Sequence, residues 1–439
     1  MTSTQAAPAG HVLLGRKAAV IVFLAFAAAY FCSALVRAIT ATLSPVLSQE
    51  FSLQARDLGL LAGGYFLGFA AIQLPLGKWL DRYGPKSVIL CFLSVAVGGC
   101  LAFSIASNFA WLLAARVMVG VGVGACLMAP LTGYRRWFDA VTQLRANSWM
   151  LMTGSLGMLS STLPVQWLLP VLGWRPLFWI LGGLIVLSMV AIAWVTPAWP
   201  KTAPTVDASR TALSAGVGEL DRGRPVQRHA DSYAEVWQSR YFRKLLPLAV
   251  FNYGGMVAIQ TLWATPWMIK VAGYTPLEAA RGLFYLNAAM LVTFWSWGLF
   301  NPWLARHGWS AIRLIGWGVP LSLLMLGVNI YGGASTGWGG WALFCMTSSV
   351  LGLAQPAIGM AFRPALAGRA LSAYNLGIFA GVFTVQWGLG LLIDAFGLAG
   401  LGRVTSFQAA MLVLLCCCIA SYGYFIHVKV DNLQAGNGS

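Results

Sequence analysis

The sequence predicts an all-α membrane protein, with twelve transmembrane helices in two pseudo-symmetric six-helix bundles. Three observations carry that expectation. Of 439 residues, 59% are hydrophobic and 9% charged, whereas an ordinary soluble domain carries about 25% charge. The apolar residues form continuous runs of roughly 20, enough helix to cross a hydrocarbon core of about 30 Å. One polar stretch, 198–243, divides those runs into two sets of six. A β-barrel would show short alternating strands instead.

In chain order, residues 1–17 are a polar tail. The run 18–42 is too long for a signal-peptide core and ends in no small-residue cleavage site, so it counts as the first span. Spans 58–80, 87–107, 110–132, 148–171 and 175–197 complete an N-terminal bundle over 18–197. The linker, 198–243, contains "KTAPTVDASRTALSAGVGELDRGRPVQRHADS". It is rich in Pro, Gly, Ser and charge and lacks an apolar period, which predicts a flexible connection with at most a short surface helix. Spans 244–269, 279–303, 311–331, 340–362, 371–393 and 405–426 build a second bundle over 244–426, followed by a tail, 427–439.

The two sets echo one another. "LDRYGPKSV" after the second span corresponds to "LARHGWSAI" after the eighth: Arg82 matches Arg306 and Gly84 matches Gly308, while Ala305 replaces Asp81. A duplicated bundle places a solute path between its halves.

The net charge of +16 forms no continuous basic face of the kind that nucleic acid requires. Topology accounts for it. With the N-terminus in the cytoplasm, 21 of the 28 Lys and Arg fall in the tails, the linker and the loops on that side. Five (Arg56, Arg175, Lys270, Arg281 and Arg403) fall on the other, and Arg37 and Arg116 lie within spans. The positive-inside rule therefore predicts two cytoplasmic termini. All eight cysteines lie in apolar runs, which points to neither a disulfide scaffold nor a zinc site.

The loop "GKWLDRYGPK" carries glycine, a spacer, aspartate-arginine, then glycine and a basic residue, at Gly77, Asp81, Arg82, Gly84 and Lys86. "RVMVGVGVG" follows in the fourth span, with Arg116, Gly120, Gly122 and Gly124. In these motifs, and in its twelve spans with a central loop, the chain resembles the major facilitator superfamily over essentially its whole length. That resemblance implies a bacterial cytoplasmic-membrane carrier working by alternating access. It implies gating or coupling roles for Gly77, Asp81, Arg82, Gly84, Lys86, Arg116, Gly120 and Gly124. The fifth span, "TGSLGMLSSTLP", lacks the Gly-Pro pair expected of drug/proton antiporters.

From the residues themselves, Asp81 is expected to face a helix N-terminus of the opposite half, where the dipole favours a carboxylate. Topology charge alone would also account for the loop. Arg37 is the sharpest candidate for the solute site. A guanidinium facing an aqueous cavity binds carboxylate or phosphate as a fork, although its place near the end of the first span also allows it to snorkel. Tyr65, Gln73, Asn252, Tyr253, Gln260, Tyr285, Asn287, Gln355, Asn375 and Gln386 are candidate hydrogen-bonding groups for solute, or else bond between helices. Trp263 and Trp267, four apart on one helix face, are candidates to clamp a planar solute.

No acid or histidine lies deep in a span, so no intramembrane proton relay is evident. Asp394 and Asp57 remain candidates from an outer vestibule. The reading is a secondary transporter of a small carboxylate-bearing anion, with proton-coupled uptake, uniport and exchange all open. Efflux of a drug or metabolite and a non-transporting receptor or scaffold are the alternatives. The expected partners are solute, protons and membrane phospholipids around a monomer, with no cofactor. No metal or nucleophile motif supports an enzyme.

Overall fold

The computed structural model describes residues 13–199 and 233–428, and no strand occurs among them. The first segment comprises α1 (Arg16–Glu50), α2 (Ala55–Ala71), α3 (Gln73–Ser104), α4 (Phe109–Val123), α5 (Met128–Trp137), α6 (Ala140–Ser160), α7 (Leu163–Leu172) and α8 (Trp174–Val195). The second comprises α9 (Tyr233–Gln238), α10 (Arg240–Lys270), α11 (Pro276–Arg306), α12 (Ala311–Gly332), α13 (Trp338–Ala361), α14 (Pro364–Leu398) and α15 (Arg403–His427). In lipid every backbone donor and acceptor must be satisfied within its own segment, which is why apolar runs of this length become helices. Their outer faces are correspondingly apolar: Trp194 is 84% and Leu187 66% exposed.

Short polar residues start several of these helices. The Asn108 side chain accepts from the Trp111 amide, and Ser310 accepts from Arg313. Gln54 and Asp57 form a reciprocal capping box at the start of α2.

Among the described residues ten helices are long and apolar enough to cross a membrane, or eleven if α6 and α7, bent by 43° at their junction, make one span. The expected twelve differ from this count at 55–104. There a single turn at Ile72 separates α2 from α3, so the second expected span is split between them and α3 runs on from its end through the third. Its backbone leaves helical geometry at Gly84 (φ 79, ψ 162). Gly308, its counterpart in the second segment, has φ 76. Both sit in the left-handed region that glycine occupies without a Cβ penalty, so the sequence echo extends to the backbone.

Two stretches of α10, Leu248–Tyr253 and Ile259–Trp263, are π-helical. Such widened turns re-aim side chains and recur at functional sites. These two carry Asn252, Tyr253, Gln260 and Trp263. Residues 200–232, most of the expected linker, lie outside the described residues, as do 1–12 and 429–439.

Candidate functional site

The two segments meet along a seam between α2 and α14, and the small residues of α2 decide how closely they approach. A Cβ at Gly59 would overlap the Gln386 carbonyl, and one at Gly390 would overlap that of Ala55. At this end of the seam the Asp394 carboxylate accepts from the Ala55 amide at 3.2 Å and the Arg56 amide at 2.9 Å. It thereby caps the first turn of α2, where free N–H groups and the helix dipole favour an anion. Glu50 ties α1 to α8 at the same end, through Trp174 Nε1 (2.7 Å) and Arg175 (2.6 Å).

The opposite end carries the basic loops. Asp81 is exposed there and makes no hydrogen bond among the described residues, and Gly77 has open space where a Cβ would stand. In this arrangement the carboxylate docked across the seam is therefore Asp394, and the facing contact expected of Asp81 is not formed. The rest of its loop packs within its own segment. Lys86 donates to the Thr196 carbonyl at the end of α8 (3.1 Å), Gly84 lies under the Trp199 ring, and Arg82 covers Tyr83.

Midway along the seam lies Arg37 on α1. It is partly exposed, yet its buried Nε has no hydrogen-bond partner. Its guanidinium stands 5.9 Å from the centre of the Phe69 ring. Tyr30 and Tyr65 of the first segment and Tyr253 of the second lie near enough to interact with its charge. Phe69 in turn packs at a tilt against Phe379 of α14, ring centres 4.3 Å apart. Arg116 is fully buried behind Tyr65, 5.3 Å from its ring centre, and donates to the Val36 carbonyl at 3.0 Å. Gly120 abuts the Tyr65 backbone, Gly124 the Ile72 side chain and Gly122 the backbone of Ala96. The glycines of α4 thus serve two neighbouring helices.

The uncharged candidates divide. Tyr65 and Tyr253 gather at Arg37. Asn252 donates to Ser421 at 2.6 Å, Gln260 to Asn287 at 3.0 Å, and Gln355 to Asn375 at 2.9 Å, all between helices of the second segment. Gln73 donates to Phe69 one turn back on its own chain. Gln386 donates to Thr261 at 2.9 Å, while its side-chain Oε1 is buried without a partner.

Tyr285 is 45% exposed beside Trp338, away from Arg37. Trp263 and Trp267 are wholly buried: Trp263 donates to the Gln386 carbonyl, and Trp267 packs edge-on against Trp341. A solute does not reach either ring in this arrangement. Tyr30 and Phe69 belong to the Arg37 cluster, although no reading of single residues picked them out. The available signal was spacing, since Tyr30 precedes Arg37 by seven residues, two helical turns on one face.

Comparison with known proteins adds to this geometry. A family model described as Major Facilitator Superfamily matches residues 26–393. The niacin transporter NiaP of Acinetobacter baylyi is 26% identical over 273 residues, 58% of this chain and 60% of its own. The 4-hydroxybenzoate transporter PcaK of the same organism is 24% identical over 280 residues, 59% of this chain and 61% of its own. The chain thus spans about three fifths of the length of these relatives. A crystal structure of a bacterial homologue of the human lysosomal transporter Spinster, inward-facing and unoccupied, superimposes with a TM-score of 0.73. Sequence identity there is 18%, over 94% of this chain and 98% of that one, a likeness of fold.

Proposed function

Because the chain belongs to the major facilitator superfamily, and is accordingly a transporter and not an enzyme, we propose that it carries a small carboxylate-bearing organic anion across the bacterial inner membrane by alternating access. The observation that carries this reading is Arg37, a guanidinium at the seam with no carboxylate partner and one orphaned nitrogen. A planar fork of donors in a partly dry site recognises a carboxylate in two-point fashion. Phenols from both segments surround it, so a bound anion touches both parts of the carrier and its binding is coupled to their relative position. The names of NiaP and PcaK fit the same reading, since niacin and 4-hydroxybenzoate are both ring-bearing carboxylates.

In this reading the chain crosses twelve times. Residues 55–83 and 85–104 are separate spans reversing at Gly84, and the termini and basic loops are cytoplasmic. The present arrangement is then closed toward the outside, and Asp81 docks only in the opposite state.

Uptake of labelled 4-hydroxybenzoate and nicotinate, within a wider panel of carboxylates, into proteoliposomes tests the reading. Arg37→Gln is expected to lower flux of any transported acid by about two orders of magnitude, the scale of losing a buried charged hydrogen bond. Flux preserved for every acid would remove Arg37 from the site.

A further inference from the structure

Two guanidiniums stand in the interior of this transporter without a counter-charge. Arg116 lies over the Tyr65 ring and Arg37 interacts with the phenol of the same residue, and neither forms an ion pair among the described residues. Arg116 keeps a single bond, to the Val36 carbonyl immediately before Arg37, and leaves Nε and Nη2 buried without partners. Described carboxylates lie near helix ends or in connections, and Asp394, the one docked on the seam, is committed to the α2 amides. Phenols and thiols, not acids, surround the pair: Tyr30, Tyr65 and Tyr253 around Arg37, and Tyr65 and Cys100 around Arg116.

Arginine does not shed its proton under physiological conditions. Alternating access passes through a state in which the seam is shut at both ends. In an empty carrier that state would seal unneutralised guanidinium charge away from both aqueous phases, which is strongly unfavourable. A bound organic anion supplies the missing charge to Arg37 and lifts that barrier.

We propose that the carrier reorients only when loaded, so that it works as an obligatory exchanger in which one organic anion enters as another leaves. This inference rests on the anion reading above and adds a mode of coupling to it.

Full-length protein in proteoliposomes decides the matter, with membrane potential clamped at zero and pH equal on both sides. Labelled 4-hydroxybenzoate, nicotinate and a panel of other carboxylates are offered to vesicles preloaded with the same unlabelled acid or with buffer alone. Preloading is expected to accelerate entry of a transported acid by at least about tenfold, given the cost of a charge sealed in an apolar interior. Arg37→Gln should lower flux and abolish the dependence of whatever flux remains on preloading. Equal rates with and without internal acid would overturn exchange and leave the anion reading standing, and an Arg37→Gln variant that kept the full preloading effect would overturn the sealed Arg37 charge as its cause. Absence of saturable flux for the whole panel under either loading would overturn both.

Discussion

The two ends of the α2–α14 seam use the same chemistry and stand in opposite conditions. At one end a carboxylate, Asp394, is bonded to two free amides of a helix start, and two glycines let backbones touch. At the other a carboxylate, Asp81, faces solvent, and Gly77 borders open space. A carrier that alternates needs two latches of modest strength, of which only one is engaged at a time. A single permanent clamp would trap one state. The difference between the ends therefore reads as one half of a cycle, with the small residues at each end marking where closure happens.

Four tests break or sharpen that comparison. The largest effect is expected from Gly59→Leu, which drives a side chain into the Gln386 backbone. Overpacking against groups that cannot rotate aside costs about 1–3 kcal/mol or more, enough to lengthen spin-label distances across the Asp394 end and cut flux severely. An unchanged distance would show that this contact does not hold the seam. Next comes a paired test of the duplicated loops. Gly84→Ala combines a left-handed backbone with overlap on Trp199, whereas Gly308→Ala meets only the backbone term, about 1 kcal/mol or more by itself. Melting in detergent should fall further for Gly84→Ala, and equal losses would contradict the packing described.

Asp394→Asn should be milder, because the amide side chain keeps one acceptor. Loss of charge at the α2 N-terminus is worth about 0.3–1 kcal/mol, seen as a several-fold shift toward open distances at that end. The smallest effect on stability belongs to Asp81→Asn, within about 0.5 kcal/mol of wild type because the carboxylate bonds nothing here. Transport is nonetheless expected to fail if Asp81 is the second latch. A clear drop in melting temperature would reveal a bond in the resting state, and normal cycling would sink the latch.

Much of the fold was legible because the bilayer imposes a single rule on the backbone: long apolar runs must be helical. The glycine motifs were legible because backbones approach only where no Cβ intervenes. Gly120 and Gly122 show this most directly, each against the backbone of another helix, while at Gly84 and Gly308 a repeat of a few letters became a repeat of φ. The role of Asp394 was much less legible. Nothing near it in sequence marks the amides of Ala55 and Arg56, more than 330 residues away, as its partners. Likewise Asn252, Gln260 and Gln355 carry the same donors whether they meet solute or a neighbouring helix, and Trp263 and Trp267 are equally apolar in a cavity or a core.

By itself, then, the sequence determined the class, an all-α multi-pass membrane protein, a property that depends on local composition against a uniform solvent. Only the tertiary structure decided which of several isolated polar groups converge. Arg37 drew phenols of both segments to its charge while the amides turned to one another, and the carboxylate docked on a helix start across the seam was Asp394, at the end opposite Asp81. Those outcomes depend on distances between helices far apart in the chain, set by which backbones can touch.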